Sequence, residues 1–169
     1  MNFSKFILKR DKINNIIRNQ AKKDKSIVYG SNAMNKQIHP FTRRKSQDYD
    51  IYTKTPKRDA RSMEKRLDKT LGGNYFYTKP AIHGGTWKVM NKGLIKDNPR
   101  DDINVVDYSF GSTPSKRISG VRYEKLSNII KTKKKILKDK ESKYRHEKDR
   151  DDLRRIRFSK ALKKRKVGM

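Results

Sequence analysis

The sequence predicts a protein of the α/β (α+β) class, in which short β-strands alternate with or are flanked by helices. Apolar residues recur at helical spacing near both ends of the chain, short β-prone runs lie between them, and Gly or Pro separates most of these segments. Of 169 residues, 38% are charged, but eight Tyr, six Phe and one Trp indicate that part of the chain packs. We therefore expect one compact unit with a modest core and basic flanks.

Local signals place the elements in order as far as residue 110. They are an amphipathic helix (3–23), a strand (26–29), a helix or tight turn (31–35), a loop (36–47), a strand (48–53), a helix (56–71), a hairpin (75–77 and 86–90) and a strand (102–110). Thr55 and Pro56 suit the N-cap and first turn of the helix at 56–71, and Gly72-Gly73 ends it. Gly84-Gly85 supplies the hairpin turn.

The remainder of the chain, 122–169, is expected to be a basic helical C-terminal extension of a core that spans 1–121. A helix is expected from Arg122 onward, on an apolar stripe between Leu126 and Leu137, and a second helix over 144–162. This extension carries 20 Lys and Arg against 7 Asp and Glu, a net charge of +13. It is the most basic part of the chain.

The charge of the whole chain points to a polyanionic partner. A net charge of +28 and a pI of about 10.4 favour binding to phosphate backbones through counterion release, so RNA or DNA is the expected partner. The candidate nucleic-acid contacts are Lys133, Lys134, Lys135, Lys163, Lys164 and Arg165. The terminal basic run is either a nuclear localisation signal or a solvated tail.

Several classes of protein are excluded or disfavoured. Without cysteine the chain has no disulfide or thiolate metal site, and His39, His83 and His146 lack the spacing of metal ligands. No apolar run approaches the length of a membrane span. We expect an intracellular, cytoplasmic protein, with a nuclear or virion location and the oligomeric state left open.

Two acidic residues, Asp48 and Asp50, stand two positions apart in an expected strand, so their side chains point to the same face. Two carboxylates at that distance repel each other, and a bound divalent metal is the simplest way to neutralise them. Asp107 has a similar setting in a later strand and is a candidate third ligand. Gly30 lets backbone N–H groups approach a triphosphate, and the Ser31 hydroxyl adds a donor.

These residues resemble the signature of the nucleotidyltransferases of the DNA polymerase beta superfamily. That signature is a hydrophobic residue and Gly followed by Gly or Ser, then Asp-x-Asp in a strand, then a third Asp in a later strand. The matching segments are Tyr29-Gly30-Ser31, Asp48-Tyr49-Asp50 and Val106-Asp107-Tyr108. Features similar to the minimal and toxin-type branch are Arg44, Ser46 and the C-terminal Arg145-x-x-Lys148-Asp149-x-x-Asp152-Leu153.

The resemblance implies a nucleotidyltransferase-like α/β fold with a short mixed β-sheet flanked by helices, and a metal-dependent transfer of a nucleoside monophosphate from ATP or another NTP to a hydroxyl. The net charge favours RNA as the acceptor, and an antibiotic or protein hydroxyl remains open. Asp48 and Asp50 would bind Mg²⁺ (or Mn²⁺), and Asp107 would be a third ligand or the base. The residues that would hold the nucleotide are Gly30, Ser31, Arg44 and Ser46. One departure is the sixteen residues between Ser31 and Asp48, a longer segment than in compact members.

Other interpretations of the same residues remain open. Asp48 and Asp50 could form a solvated edge facing the lysines, and Asp107 could bind a backbone group or an Arg. The C-terminal motif could be surface pairing on a helix, and Trp87 is more often hairpin core than a base-stacking platform. At the level of function, the alternative is a basic non-enzymatic nucleic-acid-binding protein of a virion or ribonucleoprotein particle, with or without an inactive nucleotidyltransferase scaffold.

Overall fold

The computed structural model describes residues 3–82, 84–93 and 102–165. The helices are α1 (Phe3–Lys23), α2 (Gly30–Asn35), α3 (Pro56–Leu71), α4 (Leu126–Ile136) and α5 (Lys143–Arg165), with a 3-10 helix at Pro40–Thr42. The strands are β1 (Ile27–Tyr29), β2 (Tyr49–Thr53), β3 (Phe76–Pro80), β4 (Thr86–Asn91), β5 (Ile103–Phe110), β6 (Ser115–Ile118) and β7 (Val121–Glu124). The order of elements expected up to residue 110 is confirmed. His83, the terminal Lys166 and the side chains of Lys164 and Arg165 lie outside the described residues.

The strands form one mixed sheet in the order β3-β4-β5-β2-β1-β7-β6. Strands β2 and β5 run parallel to each other, as do β1 and β7, and the other neighbours are antiparallel. The predicted mixed sheet is confirmed.

The core lies between this sheet and two of the helices. Ile13 and Ile17 of α1, and Met63 and Leu67 of α3, are each four positions apart and therefore share one helical face. All four are buried, together with Ile51 of β2. The helices α1 and α3 thus cover one face of the sheet and leave the other face for the candidate site.

The α3 boundaries match the prediction, but the cap at its start differs from it. Thr55 stands at the N-cap without a capping side-chain hydrogen bond, and its hydroxyl donates to the buried carboxylate of Asp59 instead. At the other end Gly72 adopts a left-handed conformation (φ 72°), as a C-terminal glycine should.

The helix expected from Arg122 begins only at Leu126, because residues 121–124 form a strand. Val121 and Tyr123 are buried, and Arg122 pairs with Ile27 of β1. A tight turn at residues 119–120, both with positive φ, joins β6 to β7. The division of the chain between residues 121 and 122 stays a prediction, and the chain crosses that point within β7.

The long segment between α2 and β2 supports the C-terminal helix. The backbone N–H of His39 donates to Ser159 Oγ (2.7 Å), and Lys163 Nζ donates to the carbonyl of Gln37 (2.9 Å). The extra length between Ser31 and Asp48 therefore holds α5 against the rest of the fold. No helix in the described part of the chain is long and apolar enough to cross a membrane.

Candidate active site

Three carboxylates meet on the sheet face opposite α1 and α3. Asp50 of β2 pairs directly with Asp107 of β5, and Asp48 lies immediately before β2. Each of the three offers one oxygen, and these oxygens all lie within 4.8 Å of one another. The sequence predicts this convergence, and the parallel pairing of β2 with β5 produces it.

Two polar side chains hold the carboxylates in place. Asn104 Nδ2 donates to Asp48 Oδ2 and to Asp107 Oδ1, both at 2.8 Å. Lys88 Nζ of β4 donates to Asp107 Oδ2 at 3.0 Å. Both oxygens of Asp107 are therefore bound, and its orientation is fixed from two sides.

The Asn104 contact depends on an irregularity in the sheet. Residues three apart in a regular strand point to opposite faces, so Asn104 and Asp107 would normally be separated. Val89 pairs with Val106 but Met90 pairs with Asn104, which leaves Val105 as an extra residue in β5. This β-bulge turns Asn104 toward the carboxylates.

The carboxylate cluster fits a divalent cation. Burial, followed by the negative charges of Asp48 and Asp107, raises the pKa of Asp50 to about 7. The cluster thus holds more negative charge than Lys88 and its other protein neighbours compensate. Three carboxylate oxygens this close together suit Mg²⁺ or Mn²⁺, which prefer oxygen ligands.

A glycine turn stands directly beside the cluster. Gly30 has φ 66°, and a Cβ atom at this position would overlap Asp50 Oδ2. Gly30 is the first residue of α2, and Asn32 Nδ2 in the same helix donates to the backbone carbonyl of Asp48 at 2.6 Å. The turn and the first acidic residue are therefore fixed to each other.

Asp48 and Asp50 of the cluster line a cleft of about 1120 Å³ between the sheet and the helices α4 and α5. Gly30, Ser31 and Ser46 line its floor near the carboxylates, and the Ser46 hydroxyl donates to the carbonyl of Asp48. Arg145 and Lys148 of α5 line the facing wall. Their positive charges oppose the rise of the Asp50 pKa, which places them within electrostatic reach of the cluster.

A buried ionic network joins this cleft to the C-terminal helices. Arg44 donates to Ser31 Oγ and binds Asp152 (2.7 Å), while Lys133 Nζ binds Asp149 (2.6 Å) and Asp152 (2.7 Å). Burial disfavours ionised Asp152, but hydrogen bonds from Arg44 and Lys133 outweigh it and lower its pKa. Arg44 thus connects the nucleotide side of the cleft to α5.

The lysines expected to contact nucleic acid do not share one environment. Lys133 lies inside the protein, 6% exposed and committed to two carboxylates, whereas the sequence analysis expects it on a binding surface. Lys134, Lys135 and Lys163 are exposed. The contact of these three with nucleic acid stays a prediction.

Sequence reasoning did not assign Lys88 or Asn104 to the site. Lys88 reaches Asp107 through the pairing of β4 with β5, which no local pattern indicates, and Asn104 depends on the bulge. Arg145 and Lys148 belong to the C-terminal motif that is similar to the toxin-type branch, but no individual role was predicted for either residue. Their spacing of three on one helical face was the available signal.

No protein-family model matches the chain, and no curated protein matches its sequence. Solved structures do match. The Megavirus polyadenylate synthase is similar with a TM-score of 0.67 and 18% identity, over 90% of this chain and 32% of that protein. A Helicobacter pylori protein provisionally named a nucleotidyltransferase is similar with a TM-score of 0.51 and 18% identity, over 75% of this chain and 56% of that one.

The chain therefore spans a third to somewhat more than half of the length of these two structures. The similarity to the polyadenylate synthase extends over nine tenths of this chain. The protein has a nucleotidyltransferase-like fold, as the sequence resemblance predicts.

Proposed function

We propose that this protein is a nucleotidyltransferase that moves a nucleoside monophosphate from an NTP to a hydroxyl of an acceptor, with RNA the favoured acceptor. The observation that carries the proposal is the convergence of Asp48, Asp50 and Asp107 beside the Gly30 turn, at the mouth of a cleft large enough for a nucleotide. The net charge of +28 supports a polyanionic acceptor.

Asp48 and Asp50 would hold Mg²⁺ or Mn²⁺, with Asp107 either a third ligand or the base that takes the acceptor hydroxyl's proton. The ion, when bound, would polarise phosphate oxygens and stabilise the charge that develops during an in-line displacement. Asn104 and Lys88 would keep the Asp107 and Asp48 carboxylates in their orientation. Partners of this kind commonly tune both metal affinity and activity.

The triphosphate would lie between the glycine turn and α5. Because Gly30 has no side chain, the Asp50 carboxylate can lie against the turn, and the nucleotide phosphates would bind beside it. Arg145 and Lys148 would supply positive charge from the facing wall of the cleft. Ser31 and Arg44, already hydrogen-bonded to each other, would form the end of the cleft nearest α2.

In the transfer step, the acceptor hydroxyl oxygen forms a bond to the α-phosphorus, and the bond from that phosphorus to the bridging oxygen breaks. Pyrophosphate leaves with the electron pair of that bond. In the role of base, Asp107 takes the hydroxyl proton on a carboxylate oxygen. This assignment rests on its position at the β4 side of the cluster, away from the glycine turn.

The test is incubation of the protein with labelled NTPs, Mg²⁺ or Mn²⁺ and a mixed RNA pool, in parallel with the Asp48→Asn/Asp50→Asn double variant. We expect label in RNA with the wild-type protein and none with the double variant. Salt-sensitive retention of RNA by both proteins is a control for binding, because the basic surface is unchanged.

Failure of incorporation with every NTP and metal, alongside intact RNA retention, would overturn the proposal. That result would support the alternative, a basic nucleic-acid-binding protein built on the same scaffold. Label on the protein or on a small hydroxyl compound instead of RNA would keep the chemistry and correct the acceptor.

A further inference from the structure

A row of charged residues crosses the sheet from the candidate active site to its edge. The strand register aligns Asp50 with Asp107, Asp107 with Lys88, and Lys88 with Lys79. Aligned residues on neighbouring strands point to the same face. The row is therefore acidic at the end that lies in the middle of the sheet and basic at the end that lies on the β3 edge.

This part of the sheet face is accessible to solvent. The helix α3 packs on the opposite face of β3 and β4, where Phe76 and Val89 are fully buried. On the face of the carboxylates, the Lys88 side chain is 28% exposed, and Lys79 is also partly exposed. Lys88, which is paired with Asp107, and Lys79 on the next strand are thus both partly open to solvent on this face.

An aromatic ring completes the surface. Tyr77 lies two residues from Lys79 in β3, so both point to the same face, and Lys79 Nζ is 5.9 Å from the centre of its ring. The Tyr77 hydroxyl donates to Asp102, which fixes the ring in orientation. Lysines interleaved with an aromatic ring suit a single-stranded nucleic acid, because bases stack on the ring and phosphates bind the lysines.

The geometry of phosphoryl transfer gives this surface a place in the reaction. The attacking oxygen and the leaving pyrophosphate must lie on opposite sides of the phosphorus. The cleft with Gly30 lies on the β1 side of Asp50, which leaves the β5 and β4 side for the acceptor. Since strands are about 4.8 Å apart, Lys88 and Lys79 follow Asp107 at about 5 Å and 10 Å.

We infer that the face formed by Tyr77, Lys79 and Lys88 binds the 3′-terminal nucleotides of a single-stranded acceptor and directs its terminal hydroxyl to Asp107. This inference rests on the proposed nucleotidyltransferase function for its role, and on the exposed basic and aromatic face for the binding itself. The recognised chemistry is a phosphodiester chain with a free 3′-hydroxyl.

Photo-crosslinking tests the binding without any need for activity. The full-length protein is irradiated with an RNA oligonucleotide that carries 4-thiouridine at its 3′ end, and crosslinked peptides are mapped by mass spectrometry. We expect crosslinks within residues 76–91. A 5′-terminal 4-thiouridine serves as the positional control and should crosslink elsewhere.

Kinetics of matched variants test the role in the reaction. Lys79→Ala should raise the KM for the RNA acceptor about fivefold with the KM for NTP unchanged, and should make binding less dependent on salt by about one phosphate contact. The control is Lys57→Ala, an exposed lysine of α3 that lies near Trp87 on the opposite face. Tyr77→Leu should also raise the acceptor KM, whereas Tyr77→Phe keeps the ring and should not.

The outcomes separate this inference from the proposed function. Crosslinks confined to α3, α4 or α5, or equal effects of Lys79→Ala and Lys57→Ala on RNA affinity, would overturn the acceptor surface even if incorporation occurs. Absence of incorporation together with crosslinks at 76–91 would overturn the reaction but keep the binding face. Equal results with DNA oligonucleotides would extend the surface to any single strand.

Discussion

Gly30 and Asp50 lie so close together that a Cβ atom on residue 30 would overlap Asp50 Oδ2. Gly30→Ala should therefore displace the carboxylate as well as strain the backbone at φ 66°. We expect a loss of stability above the roughly 1–2 kcal/mol that a left-handed conformation costs Ala. Nucleotidyl transfer should fall at least about tenfold, because small shifts of a reacting group are costly.

The matched control for this change is Gly72→Ala. Gly72 has a similar φ of 72°, but a Cβ atom there would meet nothing within 4 Å. The Gly72→Ala variant should lose only the backbone contribution to the free energy of unfolding, measured by urea denaturation. It should keep full activity. Equal stability and equal activity of the two variants would refute the steric role of Gly30.

The pH dependence of stability should reveal the charge of the carboxylate cluster. The pKa of Asp50 is raised from 3.8 to about 7, so the folded state holds its proton more tightly than the unfolded state. The contribution of protonated Asp50 to the free energy of unfolding is fully present below about pH 4 and is lost as the pH rises through about 7. The loss is of the order of 4 kcal/mol, since one pKa unit is about 1.4 kcal/mol.

Asp50→Asn removes this charge and should be more stable than the wild type at pH 8 without divalent metal, and similar to it near pH 4. Mg²⁺ or Mn²⁺ should raise the melting temperature of the wild type at pH 8 and have little effect on the variant. Urea unfolding at both pH values measures the difference in stability, and thermal unfolding measures the shift in melting temperature with metal. A variant less stable than the wild type at pH 8 would contradict the charge argument.

The sequence predicts those parts of the site that depend on local pattern. Alternation in a strand places Asp48 and Asp50 together, and a similar strand setting identifies Asp107. The direct pairing of Asp50 with Asp107 joins segments far apart in the chain, so no local pattern specifies its register. The family resemblance provided that link, and the shared fold of the solved structures agrees with it.

The parts that were missed depend on tertiary contacts. Asn104 faces the carboxylates only because of the bulge at Val105, which breaks the alternation that sequence reasoning assumes. Lys133 looks like a member of a solvated lysine run, and only the neighbouring helix α5 shows that it is enclosed. The strand β7 was predicted to be part of a helix, because its apolar alternation is only four residues long.

The buried network predicts a large difference between neighbouring lysines. Lys133→Met would remove the cation that Asp149 and Asp152, both 0% exposed, share, and would leave Asp152 with Arg44 alone. We expect a loss of about 3–5 kcal/mol in the free energy of unfolding near neutral pH, because an unpaired buried charge is costly. The adjacent and exposed Lys134→Met should change it by less than about 0.5 kcal/mol.

The pH dependence of this loss provides a check on its cause. The pKa of Asp152 lies below its ordinary value in the folded state, so its stabilisation is present above about pH 4 and is lost as the pH falls further. The gap between the wild type and Lys133→Met should therefore narrow in acid. A gap that stays constant down to pH 3 would indicate lost packing instead of lost ion pairing.

The wall of the cleft formed by α5 should determine affinity for the NTP. Lys148 lines the cleft and its charge acts on Asp50, whereas Arg150 lies two positions along the helix, is exposed and does not line the cleft. Lys148→Met should raise the KM for NTP about tenfold or more, because a charge-assisted phosphate contact is worth about 1.5–3 kcal/mol. Arg150→Met should leave it unchanged.

These two variants also distinguish a local contact from the general basic surface. Each removes one positive charge from α5, so any effect of net charge on RNA retention should be the same in both. Steady-state kinetics with NTP varied at saturating acceptor isolate the nucleotide contribution. An equal rise in the NTP KM for both variants would mean that α5 attracts nucleotides only by its overall field, and that Lys148 makes no direct contact with the phosphates.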